Sequence, residues 1–235
     1  MFNYKINDQL FEFETGEGVF VPTDTTKLLI SSAYKAIKQP GKFLDLGCGT
    51  GIIGVVLAKT GRVSGTVYGS DLGGMAIELA RKNAARYGVA CEYKQGSLFE
   101  PWAGQKFDIV LDDVPGISKV VQKYSDWFPE GVPFAPGEDG AELVCQVIEE
   151  APKYLNPGGR LIFPVLSLSN VERIMAQANK TFRNVTSIGR KLWSLTDAMK
   201  SKVDELRELE KERKIFLEEK FGMVLWYTEV FEASN

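Results

Sequence analysis

Apolar and polar positions follow one another along the chain in segments of strand length and helix length. Near the N-terminus, Phe2, Tyr4 and Ile6 alternate with polar residues, which predicts a small hairpin of short strands. Apolar residues at helical spacing then predict a helix over about 25–38. From residue 42 onward the pattern predicts strands at about 42–46, 65–70, 90–94, 107–111, 160–165, 184–191 and 223–231, with helices at about 52–59, 74–87, 140–154 and 170–179.

This alternation is typical of a parallel sheet whose two faces are covered by crossover helices. We therefore predict an α/β, Rossmann-like fold with a seven-stranded, mostly parallel sheet, helices on both faces and an antiparallel last strand. Residues 1–40 are expected to form N-terminal strands and a helix, and 41–235 the main domain. The charge-rich segment over about 198–221 predicts a helical insertion between the last two strands, either packed on the domain or forming a homodimer contact.

Composition removes several classes of function. The chain of 235 residues carries 28 Lys and Arg against 31 Asp and Glu and has no histidine. The lack of histidine excludes Ser-His-Asp and Cys-His nucleophiles and histidine metal ligands. The near-neutral charge argues against a general nucleic-acid binder. Three widely spaced cysteines indicate reduced thiols rather than a metal site, and neither a bilayer-spanning run nor a signal peptide is recognisable, so we expect a cytoplasmic protein without membrane contact.

The most specific motif is the turn that follows the predicted strand at 42–46. It consists of Asp45 followed by Gly47, Cys48, Gly49, Thr50 and Gly51. Glycines let the backbone turn sharply and approach a ligand closely, and the N–H groups at the start of the next helix face that ligand. The stretch also matches the G-x-G-x-x-G pattern of dinucleotide sites. The carboxylate of Asp45 argues against that interpretation, because it would repel a pyrophosphate and attract an ammonium group.

With this motif the chain resembles the class I S-adenosylmethionine-dependent methyltransferases. In that family an acidic residue after the second strand, here Asp71, binds both ribose hydroxyls, and a later motif flanks the adenine. The resemblance implies S-adenosyl-L-methionine as cofactor, bound by Asp45, Gly47, Cys48, Gly49, Thr50, Gly51, Asp71, Leu72, Ser97, Leu98 and Asp113. Taken singly, Asp71 could instead cap the next helix, and Leu98 could belong to the core.

The resemblance narrows to the HemK/RsmC-like small methyltransferases over about residues 17–165, through the segments 18–23, 137–143 and 154–159. Members of that group modify glutamine side-chain amides and exocyclic amino groups of nucleobases. The chain departs from the group at its substrate motif, Asn-Pro-Pro-Tyr, which is replaced by Asp113-Val114-Pro115-Gly116. Asp113 keeps a hydrogen-bond acceptor but loses the amide donor, and Gly116 lacks the stacking ring.

These changes favour an amine, ammonium or hydroxyl acceptor over a flat amide or base. Asp113 is the candidate general base, and its neighbour Asp112 is a second candidate catalytic carboxylate, since like charges raise a pKa. The alternative is that both residues only cap a turn. Phe20, Pro115 and Trp127 are the candidate substrate contacts, and the aromatic segment 114–136 is either a lid or a packed surface loop.

The preferred interpretation is a methyltransferase that acts on a nitrogen or oxygen of a small molecule. The resemblance also leaves open an N-methyltransferase of a protein glutamine side chain or an RNA base. A third interpretation is a protein that binds S-adenosylmethionine without catalysis, because the substrate motif is altered.

Overall fold

The computed structural model of the protein describes residues 1–125, 127 and 137–235. The strands are β1 (Phe2–Ile6), β2 (Gln9–Phe13), β3 (Gly41–Leu46), β4 (Val63–Asp71), β5 (Cys91–Gln95), β6 (Phe107–Asp112), β7 (Leu155–Leu166), β8 (Asn184–Ser194), β9 (Glu218–Lys220) and β10 (Met223–Ser234). The helices are α1 (Asp24–Ala36), α2 (Ile52–Lys59), α3 (Gly74–Arg86), α4 (Lys119–Gln122), α5 (Glu142–Glu150), α6 (Val171–Thr181), α7 (Asp197–Lys200) and α8 (Val203–Lys211).

The main sheet confirms the predicted topology. Its strands lie in the order β5-β4-β3-β6-β7-β10-β8, and the short β9 pairs with the start of β10. Strands β3 to β7 pair in parallel, whereas β10 runs antiparallel to both of its long neighbours. The central strands β3 and β6 are buried along almost their whole length, because helices cover both faces of the sheet.

Two apolar cores lie on opposite faces of this sheet. On one face, side chains of α1, α2 and α3 pack with the β1–β2 hairpin, whose Phe11 and Phe13 are fully buried. On the other face, α5 and α6 pack against strands β3, β6 and β7. Strands held in this way from both sides position the turns that follow them, which is where the predicted site residues lie.

The segment 198–221 differs from the single helix that was predicted. Thr196 caps the short α7 by accepting a hydrogen bond from the Met199 amide, and α8 ends before Arg213, whose φ of +58° is incompatible with a continuing helix. The chain then returns as β9. Apolar residues of this segment pack in a third core with Leu168 and Trp226, so the segment covers its own domain.

The segment 114–136 is described only in part. Val114 to Ser125 and Trp127 are described, whereas Phe128 and Phe134, which contribute to the predicted aromatic lid, lie outside the described residues. Within the part of the chain that is described, no helix is long and apolar enough to span a bilayer.

Candidate functional site

A cavity of about 470 Å³ opens where β3, β4, β5 and β6 end. This is the edge at which parallel α/β sheets bind ligands, and the volume lies in the range of small-molecule sites. Most of the predicted site residues line it: Phe20, Gly47, Cys48, Gly49, Thr50, Asp71, Leu72, Ser97, Leu98, Asp113, Pro115 and Trp127. Three predicted residues, Asp45, Gly51 and Asp112, do not.

The glycine turn is held tightly between its neighbouring strands. The amides of Gly47 and Cys48 both donate to the carbonyl of Ser70, at 2.9 and 3.0 Å. Gly47 has a φ of +72°, and a Cβ built on it would lie 3.1 Å from the backbone oxygen of Asp113. Only glycine therefore suits this position, and its close approach to the end of β6 brings Asp113 beside the turn.

Asp71 is anchored at the cavity wall by two backbone amides. The Gly49 amide donates to its Oδ2 at 2.9 Å and the Gly73 amide to its Oδ1 at 2.8 Å. Burial raises the pKa of Asp71, while these two amides act to lower it. Each oxygen keeps acceptor capacity toward the cavity, so Asp71 can hold the turn that precedes α3 and bind a diol at the same time.

The loop that follows β5, next to Asp71, contains a backbone conformation that is unusual for its residue. Leu98 has a φ of +46°, and its carbonyl accepts a hydrogen bond of 2.6 Å from the Ser70 hydroxyl. A left-handed leucine costs about 1 kcal/mol or more. Leu98 therefore packs at the cavity wall in a conformation held by β4, rather than serving only as a core residue.

The structure corrects the expected position of Asp45. This side chain is fully buried behind the glycine turn, and among the described residues neither of its carboxylate oxygens has a hydrogen-bond partner. Burial raises the pKa of Asp45 well above its ordinary value, and the nearby Asp113 carboxylate raises it further. Because the side chain lies behind the turn and outside the cavity lining, this geometry gives Asp45 no direct contact with a ligand in the cavity.

Gly51 and Asp112 also lie outside the cavity lining and stabilise the turns beside it. Gly51 precedes α2 as its N-cap in the left-handed region, and a Cβ there would lie 3.1 Å from Ala80 Cα. Asp112 is fully buried and accepts a 3.0 Å hydrogen bond from the Val114 amide. Burial raises the pKa of Asp112 well above its ordinary value. The turn-capping alternative therefore describes Asp112, while Asp113 is the carboxylate that reaches the cavity.

Asp113 combines a fixed position with a perturbed pKa. Its amide donates to the Leu46 carbonyl at 3.0 Å, and its Oδ2 accepts a 3.1 Å hydrogen bond from the Thr26 hydroxyl. Burial raises the pKa of Asp113 to about 7, although the Thr26 hydrogen bond lowers it. A carboxyl group with a pKa near neutrality and access to a cavity is suited to accept a proton.

The sequence analysis did not identify two tryptophans that line the cavity, Trp193 and Trp226. Trp193, near the end of β8, is the direct cross-strand partner of Trp226, near the start of β10, and both line the cavity with Trp127. The ring centroid of Trp226 lies 6.0 Å from the ring centroid of Trp193 and 5.2 Å from that of Trp127. The sequence did contain a signal, since one tryptophan precedes the segment 198–221 and another follows it. An antiparallel last strand starts at the sheet edge where the parallel strands end, so these two tryptophans meet at that edge.

The start of α1 was also missed as part of the site. Thr25 and Thr228 share a 3.0 Å hydrogen bond between their hydroxyls, and Thr228 also accepts a 3.1 Å hydrogen bond from Trp193 Nε1. The next residue, Thr26, donates to Asp113. One helical turn thus positions a carboxylate and an indole on the same cavity. The signal was a pair of threonines, Thr25 and Thr26, at the start of the predicted helix over about 25–38.

Gly51→Ala is expected to lower the free energy of unfolding by about 1–3 kcal/mol, because the new methyl group would be strained and would press on Ala80. Gly61→Ala is the matched control, since Gly61 has a φ of +73° but open space around it. Urea denaturation of both variants separates backbone strain from packing. Equal losses in the two variants would contradict the packing argument.

The pKa of Asp113 predicts a pH dependence of stability. Because its pKa is raised in the folded protein, the folded state holds this proton more tightly, and the associated stability is lost as pH rises from about 4 through about 7. Asp113→Asn is expected to remove about 2 kcal/mol of the decrease in unfolding free energy between pH 5 and pH 8. Parallel pH profiles of the variant and the wild type would show that Asp113 titrates normally.

The residues of the cavity fit the cofactor that the resemblance implies. Asp71 presents acceptors for a ribose diol, and the buried hydroxyl of Thr50 at the wall has no hydrogen-bond partner among the described residues. The described residues of the lining include Asp71 and Asp113 but no Lys or Arg. That charge pattern suits a sulfonium cation and is unfavourable for the pyrophosphate of a dinucleotide.

Comparison with known proteins agrees with this geometry. A family profile described as "Methyltransferase domain" matches residues 37–218. A release factor glutamine methyltransferase of Geobacter sulfurreducens is 30% identical over 174 residues, which are 72% of this chain and 61% of that relative. The "Probable cobalt-precorrin-6B C(15)-methyltransferase (decarboxylating)" of Saccharolobus solfataricus is 28% identical over 176 residues, which are 74% of this chain and 76% of that relative.

Solved structures show the same fold. A 16S rRNA methyltransferase of T. thermophilus, in complex with AdoMet and guanosine, superposes with a TM-score of 0.64 at 16% identity over 100% of this chain and 50% of that one. The chain spans about three fifths of the length of the Geobacter relative. These relatives differ in the acceptor that their names state, so the acceptor of this chain must be argued from its own cavity.

Proposed function

This chain belongs to the methyltransferase-domain family and is a class I S-adenosylmethionine-dependent enzyme, and from that premise we propose that it methylates a nitrogen or oxygen of a small molecule. The observation that carries the proposal is the position of Asp113. Its carboxylate lines the cavity beside the glycine turn, and by the resemblance of the sequence it replaces the asparagine of the HemK-like group. A carboxylate accepts hydrogen bonds from amines and hydroxyls but cannot donate one to an amide carbonyl.

The residues that would hold the cofactor surround one half of the cavity. We assign the ribose hydroxyls to Asp71, the amino-acid end to the turn from Gly47 to Thr50, and the adenine to Ser97 and Leu98. When bound, the cofactor supplies a methyl group on a positively charged sulfur that leaves as a neutral thioether. The protein therefore has to position the acceptor and exclude water, and such positioning can contribute about 7–11 kcal/mol.

Asp113 has the second task, which is to orient the acceptor and take its proton. Thr26 holds one carboxylate oxygen, and the carboxylate has a pKa of about 7 because it is buried. It is thus available as a base around neutral pH. At Gly116, another departure from the Asn-Pro-Pro-Tyr motif, a Cβ would lie 3.1 Å from Val144 Cγ2, so a side chain there would require Val144 to shift.

Calorimetry and a turnover assay test the proposal. The protein is expected to bind S-adenosylmethionine and to transfer labelled methyl groups to one component of a deproteinised metabolite extract. S-adenosylhomocysteine should form in equal amount. Binding of the cofactor without transfer to any component of the extract would overturn the small-molecule proposal.

A second candidate function is N-methylation of a protein glutamine, favoured by the Geobacter relative, which is a release factor glutamine methyltransferase. The chain covers only 61% of that relative. A purified release factor provides the test. Transfer of label to the release factor, and not to the metabolite extract, would establish this alternative, and transfer to RNA would establish a nucleobase acceptor.

A further inference from the structure

The part of the cavity that is lined by Trp193, Trp226 and Asp113 has the chemistry of an amine-binding site. We propose that it binds an organic amine in its cationic form, with a flat aromatic arm against Trp193 and Trp226 and the ammonium group toward Asp113. This inference rests on the proposed function and narrows the acceptor class from small molecules in general to arylalkylamines, whose ammonium group gives a proton to Asp113 before the neutral nitrogen accepts the methyl group. It follows from the arrangement of the indoles, from the charges around them and from the hydrogen bonds that join the two groups.

The two cross-strand indoles present carbon surface to a ligand. Trp193 Nε1 donates to the Thr228 hydroxyl at 3.1 Å, and Trp226 Nε1 donates to the Ser194 carbonyl at 3.3 Å. Both polar N–H groups are therefore used within the protein. Lys191 Nζ lies 4.3 Å from the centroid of the Trp193 ring and covers one face of that ring. The parts of the two rings that line the cavity offer apolar contact, which suits the aromatic group of a ligand.

The charges at the cavity have one sign. Its described lining holds Asp24, Asp71 and Asp113 and no basic side chain. Asp24 is paired with Lys27 at 2.9 Å, so Asp71 and Asp113 remain as the uncompensated charges. A ligand with phosphate or carboxylate groups would meet repulsion here, whereas an ammonium group would be attracted.

The tryptophan wall and Asp113 are joined by one short network. Trp193 is bonded to Thr228, Thr228 to Thr25, and the adjacent Thr26 to Asp113. Because these contacts all meet at the first turn of α1, the ring surface and the carboxylate are held in a fixed relation. A ligand with an aromatic end and an amine end would use both at once, and each end alone would bind weakly.

Calorimetry with three probes at pH 8 tests the inference without requiring turnover. The probes are 2-phenylethylamine, 3-phenylpropionate, which exchanges the ammonium for a carboxylate, and ethylamine, which lacks the ring. We expect 2-phenylethylamine to bind at least about tenfold more tightly than either of the others. Trp193→Leu should reduce its affinity, and Asp113→Asn should remove its advantage over 3-phenylpropionate.

Trp102→Phe is the matched control, because Trp102 is fully buried and does not line the cavity. It should leave the affinity for 2-phenylethylamine unchanged. Equal binding of the amine and the carboxylate, or no binding of any probe, would overturn the inference. Titration with S-adenosylmethionine in the same series keeps the two claims separate: a protein that binds the cofactor but not the amine retains the proposed function, and one that fails to bind the cofactor loses it.

Discussion

Asp113→Asn is expected to slow methyl transfer by about 10²–10⁴-fold while changing the affinity for S-adenosylmethionine little. The substitution keeps the size of the side chain and an acceptor for the Thr26 hydroxyl, which lies 3.1 Å away in the wild type. It removes the negative charge of the carboxylate and its ability to take a proton. The measurement is single-turnover transfer of a labelled methyl group, together with calorimetric titration of the cofactor.

The pH dependence distinguishes a base from a merely structural residue. Wild-type turnover should rise as pH passes about 7, where Asp113 ionises, and the residual turnover of the variant should lack this limb. Asp112→Asn is the control, because Asp112 is the adjacent buried carboxyl group and does not line the cavity. It should retain most of the wild-type rate. If the Asp113→Asn variant turned over at the wild-type rate, Asp113 would not be the catalytic base.

Asp71→Ala is expected to weaken cofactor binding by at least about 100-fold. The change removes two acceptors for the ribose hydroxyls, and hydrogen bonds to a charged group contribute about 1.5–3 kcal/mol each. It also releases the amides of Gly49 and Gly73, which Asp71 holds at 2.9 and 2.8 Å and which shape the turns on either side of the ribose position. Equilibrium titration with S-adenosylmethionine measures the loss.

Two further variants separate these effects. Asp71→Asn keeps one acceptor and the shape of the side chain, so its loss should be smaller than that of Asp71→Ala. Asp45→Asn should weaken binding by less than about tenfold, because Asp45 is fully buried behind the turn and does not line the cavity. A larger loss in Asp45→Asn than in Asp71→Ala would reverse the assignment of the two aspartates.

The sheet and its topology could be predicted because their signals are local and repeated. Each central strand is an apolar run, and the helix at Ile52–Lys59 has the predicted bounds because a glycine turn precedes it and Thr60 and Gly61 follow it. The prediction of a single helix over 198–221 was wrong because the signals that decide this segment are not local. Its helical spacing is real in α8, but the left-handed Arg213 and the pairing of β9 with β10 depend on tertiary contacts.

The site was predictable where a motif and a strand end coincide, as at Gly47, Asp71 and Asp113. It was not predictable where the direction of a side chain decides whether the residue lines the cavity. Asp45 belongs to the same motif, yet its side chain is buried under the turn. Trp193 and Trp226 lie far apart in sequence and become neighbours only through the antiparallel register of β8 and β10. A sequence pattern reports spacing along one element, whereas this wall requires the pairing of two.

A crystal structure of the protein with S-adenosylhomocysteine and 2-phenylethylamine tests the account most directly. The account predicts ribose hydroxyls on the Asp71 carboxylate, the amine nitrogen between Asp113 and the homocysteine sulfur, and the phenyl ring against Trp193 and Trp226. Density for the nucleoside away from Asp71, or an amine bound with its nitrogen turned from Asp113, would contradict it.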